Sequence, residues 1–280
     1  IGTVGADPDA GPEATMAYVF GTSACTMASS AQPHKVPGIW GPYHSAMVPG
    51  LWLSEGGQSA AGEAIAHLVA SHPASAAAKD RARRAGLSLQ DFLLQQAIAQ
   101  VEDASAAVDL ARVIVPDFLG NCAPFANSDA TAVISGLTLR IELEDLVRTY
   151  VAGVYGIGYG LRQIMQAQAH HGVQPQSIVI SGGAARSDAM KQMLADASGY
   201  QILSTTCEEP VLLGAAMLGA VSSGQFETLQ QAMSDMSSIE DRFLPSQGRI
   251  ADQHTARYRA FERLQQADHE LHRELMSHSL

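Results

Sequence analysis

Cysteine is scarce in this chain: 3 of 280 residues, Cys25, Cys122 and Cys207, far apart and without a CxxC spacing. Such a set builds neither a disulfide framework nor a zinc knuckle, and it suits a reducing, cytoplasmic setting. Charge is sparse too, at 16% of residues, and 17 basic against 28 acidic side chains leave a formal net charge of −11. Without a basic stripe, DNA or RNA binding is excluded, although backbone amides alone can hold the phosphates of a nucleotide. No apolar run reaches the length of a membrane span; the longest, residues 211–221, is short and rich in Gly and Ala. No signal peptide is visible. The histidines form no HExxH and no Cys/His cluster, so no metal site made of protein ligands is expected, and no Ser-His-Asp or Cys-His triad stands out. The first residue is Ile1 rather than methionine, and the chain reads as the C-terminal piece of a longer protein.

Hydrophobic residues are plentiful, at 46% of the sequence, enough for a sizeable core. Apolar runs of strand length alternate with helical periodicity, which predicts an α/β layer architecture. Residues 17–23 and 25–29 read as paired strands that residues 46–48 join later. Residues 57–69 read as a helix. Ser88 and Asp91 form a capping box that opens a helix running toward Ala106. Residues 113–115 read as a buried strand ended by Pro116, and residues 116–128 as a long loop. Residues 142–170 carry apolar side chains at three- and four-residue steps, interrupted by Gly153, Gly156, Gly158 and Gly160. Each glycine costs about 1 kcal/mol against alanine in a helix, so another backbone or a ligand is expected to pass close by. A strand at 177–180, a helix after Ser187, a strand at 201–204 and a small-residue helix at 211–223 follow. Glu208-Glu209-Pro210 suits the start of that last helix. The tail, residues 251–276, reads as an amphipathic helix with Tyr258, Phe261, Leu264 and Leu271 inward and His269 and His272 solvated.

Two turns carry the functional signal. Ser181-Gly182-Gly183-Ala184-Ala185-Arg186-Ser187 follows the apolar run 178–180 and opens a helix. Glycine permits positive φ and close approach, and the N–H groups of a following helix then face a ligand. Ser187 reads as the N-cap. Gly21-Thr22-Ser23 ends the run 17–20 and offers amides and hydroxyls together, as a phosphate cradle does, yet no GKS or GKT makes it a Walker A loop. Each turn alone is equally a plain strand-to-helix or hairpin turn. Together they suggest a nucleotide held between two loops of one α/β domain. Asp7 and Asp9 fall in a Gly/Pro-rich opening and read as turn aspartates.

The runs Gly38-Ile39-Trp40-Gly41-Pro42-Tyr43 and Leu51-Trp52-Leu53-Ser54-Glu55-Gly56-Gly57-Gln58-Ser59 resemble the FGGY carbohydrate kinase family. So do Pro116-Asp117-Phe118-Leu119-Gly120-Asn121, the 181–187 turn and Val211-Leu212-Leu213-Gly214-Ala215-Ala216. The likeness runs in order along almost the whole chain and points to the pentulose kinases that phosphorylate D-ribulose. It implies an actin-like, ribonuclease-H-like α/β fold, a mixed sheet flanked by helices. Residues 1–280 would be the C-terminal, nucleotide-binding domain, with the N-terminal sugar-binding domain lying outside this chain. By the resemblance, Gly21 and Thr22 face the phosphates of ATP and Gly62 lies under the nucleotide. Gly183, Ala184 and Ser187 line the adenine pocket, and Gly182 shapes the turn. ATP with Mg²⁺ and a ketopentose are the implied ligands; L-ribulose, xylulose and ribitol stay open beside D-ribulose. The catalytic aspartate belongs to an Asp-x-His-x-Gly stretch that this sequence does not contain, so neither Asp7 nor Asp9 inherits the role. Cys122 stands where relatives usually place arginine, and Thr149 and Ala152 depart from the family pattern. The chain alone is expected to be inactive, and its apolar face toward the missing domain to promote self-association. A non-catalytic nucleotide-binding module of the same fold is the alternative.

Overall fold

The computed structural model describes residues 1–7, 10–102 and 112–277. The chain opens with β1 (Thr15–Phe20), β2 (Ala24–Ser30), β3 (Trp40–His44) and β4 (Trp52–Gln58), then α1 (Gly62–Ser71), α2 (Ser75–Arg84) and α3 (Leu89–Glu102). A short hairpin, β5 (Val113–Val115) and β6 (Val133–Ser135), leads to the long helix α4 (Leu143–His170). Next come β7 (Ser177–Gly182), α5 (Asp188–Ser198), β8 (Gln201–Thr205), α6 (Pro210–Ser222), α7 (Leu229–Met236), β9 (Ile239–Phe243) and α8 (Arg249–Ser277).

Seven strands form one mixed sheet in the order β3-β4-β2-β1-β7-β8-β9. β1 runs antiparallel to β2 and parallel to β7, and β7 is parallel to β8. Period-two alternation divides the strand side chains between two cores. Met16, Tyr18, Phe20, Ile178 and Ile180 pack with α1, α4 and α5 on one face. On the other, Ala17 packs with Val4, Met217 and Met233 from the N-terminal segment, α6 and α7.

The sequence pattern marks β1, β2, β5, β7, β8 and the helices α1, α3, α4, α5, α6 and α8, carries no signal for β3, β4, β6, β9, α2 or α7, and departs from the structure at further points. Residues 46–48 make a bend, not a strand: Ser45 takes a positive φ of 56° and turns the chain, and Met47 and Val48 plug the second core from that turn. The strand partner of β2 is instead β4, in register from Ala24↔Gln58 to Ser30↔Trp52. Gly57 therefore belongs to β4, and the helix begins only at Gly62. A Cβ on Gly57 would lie 2.4 Å from the Ala24 carbonyl, so glycine serves strand contact there. On α8, Tyr258 and Phe261 are buried, but Leu271 is 59% exposed because the helix has passed the edge of the body. His269, expected to be solvated, instead packs its ring edge-on against Phe125, 5.7 Å between centroids. Asp9 and the end of the helix expected to reach Ala106 lie outside the described residues.

Each glycine of α4 is matched to a neighbour. A Cβ on Gly153 would meet Leu68 at 2.8 Å, on Gly156 the Ile114 carbonyl at 2.3 Å, and on Gly158 Ala197 at 2.5 Å. On Gly160 it would meet the Gln58 side-chain amide at 2.5 Å. The close approach expected of these glycines is thus made by protein. The first turn of α4 is anchored by a buried network. Arg112 donates to Asp145 Oδ1 at 3.0 Å and to Thr149 Oγ1 at 2.7 Å, and His72 Nε2 lies 3.1 Å from Asp145 Oδ2. Burial opposes ionisation of Asp145, but its bonds to Arg112 and His72 outweigh that and hold the carboxyl below its usual range. Thr149 has its role in this network, its hydroxyl also donating to the Asp145 carbonyl at 2.9 Å.

Candidate functional site

Because β1 and β7 are adjacent and parallel, the loops that leave them emerge from the same edge of the sheet. Their last register pair is Phe20↔Gly182. Gly182 has φ +87°, and a Cβ on it would lie 2.3 Å from the Phe20 carbonyl, so no other residue fits there without backbone movement. Gly183 and Ala184 follow in a 3-10 turn, Gly183–Arg186. Ser187 then caps α5, its Oγ accepting from the Met190 amide at 3.3 Å.

The second turn closes the β1–β2 hairpin, with the Gly21 amide donating to the Ser23 carbonyl at 2.9 Å. Helix α1 is docked onto it from behind. The Ala61 and Glu63 amides donate to the Thr22 carbonyl at 2.9 and 3.1 Å, and the Gly62 amide to the Gly21 carbonyl at 3.0 Å. A Cβ on Gly62 would lie 2.6 Å from that Gly21 carbonyl. Gly21, Thr22, Gly62, Gly182 and Gly183 are thereby gathered at one sheet edge, with Gly21, Thr22, Gly182 and Gly183 exposed. One expectation needs correction. The amides opening α1 are consumed in clamping the hairpin turn, and α5 is set back by the 3-10 turn and capped, so neither helix follows its strand with an open N-terminus aimed at a ligand.

Beside Gly182 runs a polar cleft between the ends of β7 and β8, lined in part by Ser181, Arg186, Lys191, Ser204 and Glu240. Lys191 Nζ is held 2.9 Å from Asp188 Oδ1 and stands over the Phe243 ring at 4.6 Å. Adjoining that cleft at Ser181 and Pro210, an apolar groove lies between the N-terminal residues and α6 and is lined by Ala17, Val19 and Met27. Among the described residues no group of three or more His, Cys, Asp or Glu side chains could hold a metal ion. No described helix is long and apolar enough to cross a membrane. Asp7 pairs with Arg242 at 2.9 Å.

Other polar residues near the loop at 116–128 were not visible as a group in the sequence. Asn121 and Gln265 both donate to Asp117, at 3.2 and 3.0 Å, although burial is the largest influence and pushes that carboxyl up. Burial also raises the thiol of the half-buried Cys122. Beneath the hairpin, the Tyr18 hydroxyl donates to Gln58 Oε1 at 2.7 Å, and Gln58 Nε2 donates to the Ile157 carbonyl at 2.9 Å. The one sequence trace of that last contact is Gly160, whose missing side chain makes room for the amide.

Residues 16–223 match the FGGY family of carbohydrate kinases, C-terminal domain. An FGGY carbohydrate kinase domain-containing protein of Xenopus laevis is 37% identical over 234 residues, 82% of this chain and 42% of that protein. A D-ribulokinase of Saccharomyces cerevisiae is 32% identical over 217 residues, 76% of this chain and 30% of that protein. The chain thus spans less than half the length of these relatives. The crystal structure of xylulose kinase from Rhodospirillum rubrum superposes with a TM-score of 0.73 at 23% identity, covering 96% of this chain and 51% of that one. The strand order, the mixed sheet flanked by helices and this superposition give the actin-like α/β fold of the sugar kinases. With three quarters of its length in that match, the chain belongs to the FGGY family of carbohydrate kinases.

Proposed function

We propose that this chain is the nucleotide-holding half of an ATP-dependent sugar kinase whose acceptor is a ketopentose, D-ribulose first among them. The observation that carries the reading is the convergence of two glycine-bearing turns at the ends of β1 and β7, one clamped by α1. Gly62 and Gly182 are each fixed as glycine by a carbonyl less than 3 Å from where a Cβ would stand. The exposed backbone of such a cradle suits a polyphosphate better than an apolar ligand. In this reading Gly21 and Thr22 meet the phosphates, Gly62 supports them, and Gly182, Gly183, Ala184 and Ser187 border the adenine. A rigid cradle stabilises a charge that grows in the transition state without rearranging at that moment.

Mg²⁺ would arrive with the nucleotide, neutralising phosphate charge, since the turns offer backbone and hydroxyl groups and no carboxylate pair. The aspartate that takes the proton of the sugar hydroxyl lies outside this chain, as does most of the sugar site. The domain boundary follows: residues 1–280 form the nucleotide domain of a two-domain protein whose closure keeps water out. Support for the pentulose branch comes from the 32% identity to a D-ribulokinase.

The test is an ADP-release assay on the full-length protein with D-ribulose, L-ribulose, D-xylulose and ribitol in parallel. D-Ribulose is expected to give the highest kcat/KM, and residues 1–280 alone no turnover. ATP binding without stimulation by any of these acceptors would favour a non-catalytic nucleotide module instead.

A further inference from the structure

We infer that Gln58 is a positioning residue that sets the height of the phosphate-facing turn, through hydrogen bonds made beneath it. This rests on the nucleotide reading above and adds a residue that touches no ligand. Gln58 is the last residue of β4 and the register partner of Ala24, the first residue after the hairpin turn. Its side chain reaches in two directions. The Tyr18 hydroxyl, two residues before the end of β1, donates to Oε1 at 2.7 Å, and Nε2 donates to the Ile157 carbonyl at 2.9 Å. One amide therefore ties both strands of the hairpin to the middle of α4. Four residues further on, α1 begins and clamps the turn by the Gly62–Gly21 bond.

The surroundings are built around this amide. Tyr18 is fully buried, with Gln58 as partner of its hydroxyl. Gly160 of α4 leaves the space that Nε2 occupies; a Cβ there would stand 2.5 Å from it. A helix that accepts a glycine for the sake of one side-chain amide fixes that amide against a rigid element. A site held from a rigid element keeps the tolerance that phosphoryl transfer needs, because displacement of about 1 Å can cost on the order of 100-fold in rate.

The experiment uses the full-length protein, three single variants, and a double variant with its Gln58→Ala background, with ATP and adenosine affinities by calorimetry and kcat and KM for the sugar. Gln58→Leu removes both bonds. Gln58→Glu keeps an acceptor for Tyr18 but turns an anionic oxygen on the Ile157 carbonyl. Gly160→Ala leaves Gln58 in place and pushes it. In each, ATP affinity and kcat are expected to fall about tenfold or more while adenosine affinity and sugar KM stay within about twofold. Gly160→Ala made on a Gln58→Ala background should be silent, since no amide remains to displace. A role confined to stability would shift the melting temperature and leave the ATP-to-adenosine ratio intact, and that result overturns the inference. Should Gln58→Leu fail to fold, Gly160→Ala decides by the same ratio. A wild-type protein that binds no ATP defeats the nucleotide reading and this inference together; a wild type that binds, with variants of unchanged ratio, defeats this inference alone.

Discussion

Helices α4 and α6 flank the same sheet on opposite faces, and both are rich in small and apolar residues. Their surroundings differ completely. α4 is enclosed, with a protein neighbour against each of its four glycines. α6 buries Pro210, Gly214 and Met217, while Val211 and Leu212 are each 68% exposed, Leu218 is 50% exposed, and Gly219 has nothing within 4 Å. Similar composition thus marks a finished core in one helix and an open apolar face in the other.

The largest effect is expected where α4 is anchored. Arg112→Leu leaves Asp145 buried without its guanidinium and should cost about 3–5 kcal/mol in urea denaturation. The sign with pH is fixed by the depressed carboxyl. The contribution of Asp145 is complete above its unfolded value and is lost as pH falls through the lower folded one, so the acid limb should flatten in the variant. Gly156→Ala drives a methyl toward the Ile114 carbonyl and should cost about 1–3 kcal/mol, whereas Gly219→Ala in α6 should be neutral or stabilise by up to about 1 kcal/mol. Equal effects at the two glycines would remove the distinction between the helices.

The next effect concerns the seam between α4 and α8. His254 is buried, and its Nδ1 lies 2.9 Å from the Tyr159 hydroxyl. Burial, with help from Arg257 and Arg162, lowers it from 6.5 to about 4. The unfolded chain therefore takes up a proton there before the folded one does. Stability should fall as pH drops from 6.5 toward 4, and His254→Gln should reduce that slope in denaturation series at fixed pH values. The smallest stability change is expected on α6. Leu212→Ser should move stability by no more than about 0.5 kcal/mol, yet raise the monomer fraction of residues 1–280 in analytical ultracentrifugation.

Much of this was legible in the sequence, for identifiable reasons. The 142–170 helix showed itself because its apolar steps are long and regular, and the Ser187 cap because a hydroxyl before Asp188 has few other uses. The paired glycines of the 181–187 turn announced a backbone approach; Gly182 makes it, against the Phe20 carbonyl, while Gly183 faces open space. The start of α1 was misplaced because Gly56-Gly57 interrupts a strand as readily as it opens a helix; only the pairing with Cys25 and Thr26 decides. Residues 46–48 were misread because a buried Met-Val pair can plug a turn. Gln58 could not be singled out, since its partners, Tyr18 and Ile157, are distant in sequence and Ile157 contributes only a carbonyl. The role of the α1 amides was likewise hidden: helix N-termini usually suggest ligands, and here they hold another turn.

The central claim is that the turns ending β1 and β7 hold one nucleotide between them. Hydrogen–deuterium exchange of the full-length protein, with and without saturating ADP, tests it most directly. Protection is expected in peptides covering residues 18–24, 59–66 and 180–188 together, with the outer end of α8 unchanged. Protection elsewhere, with those three segments exchanging as in the free protein, would contradict it.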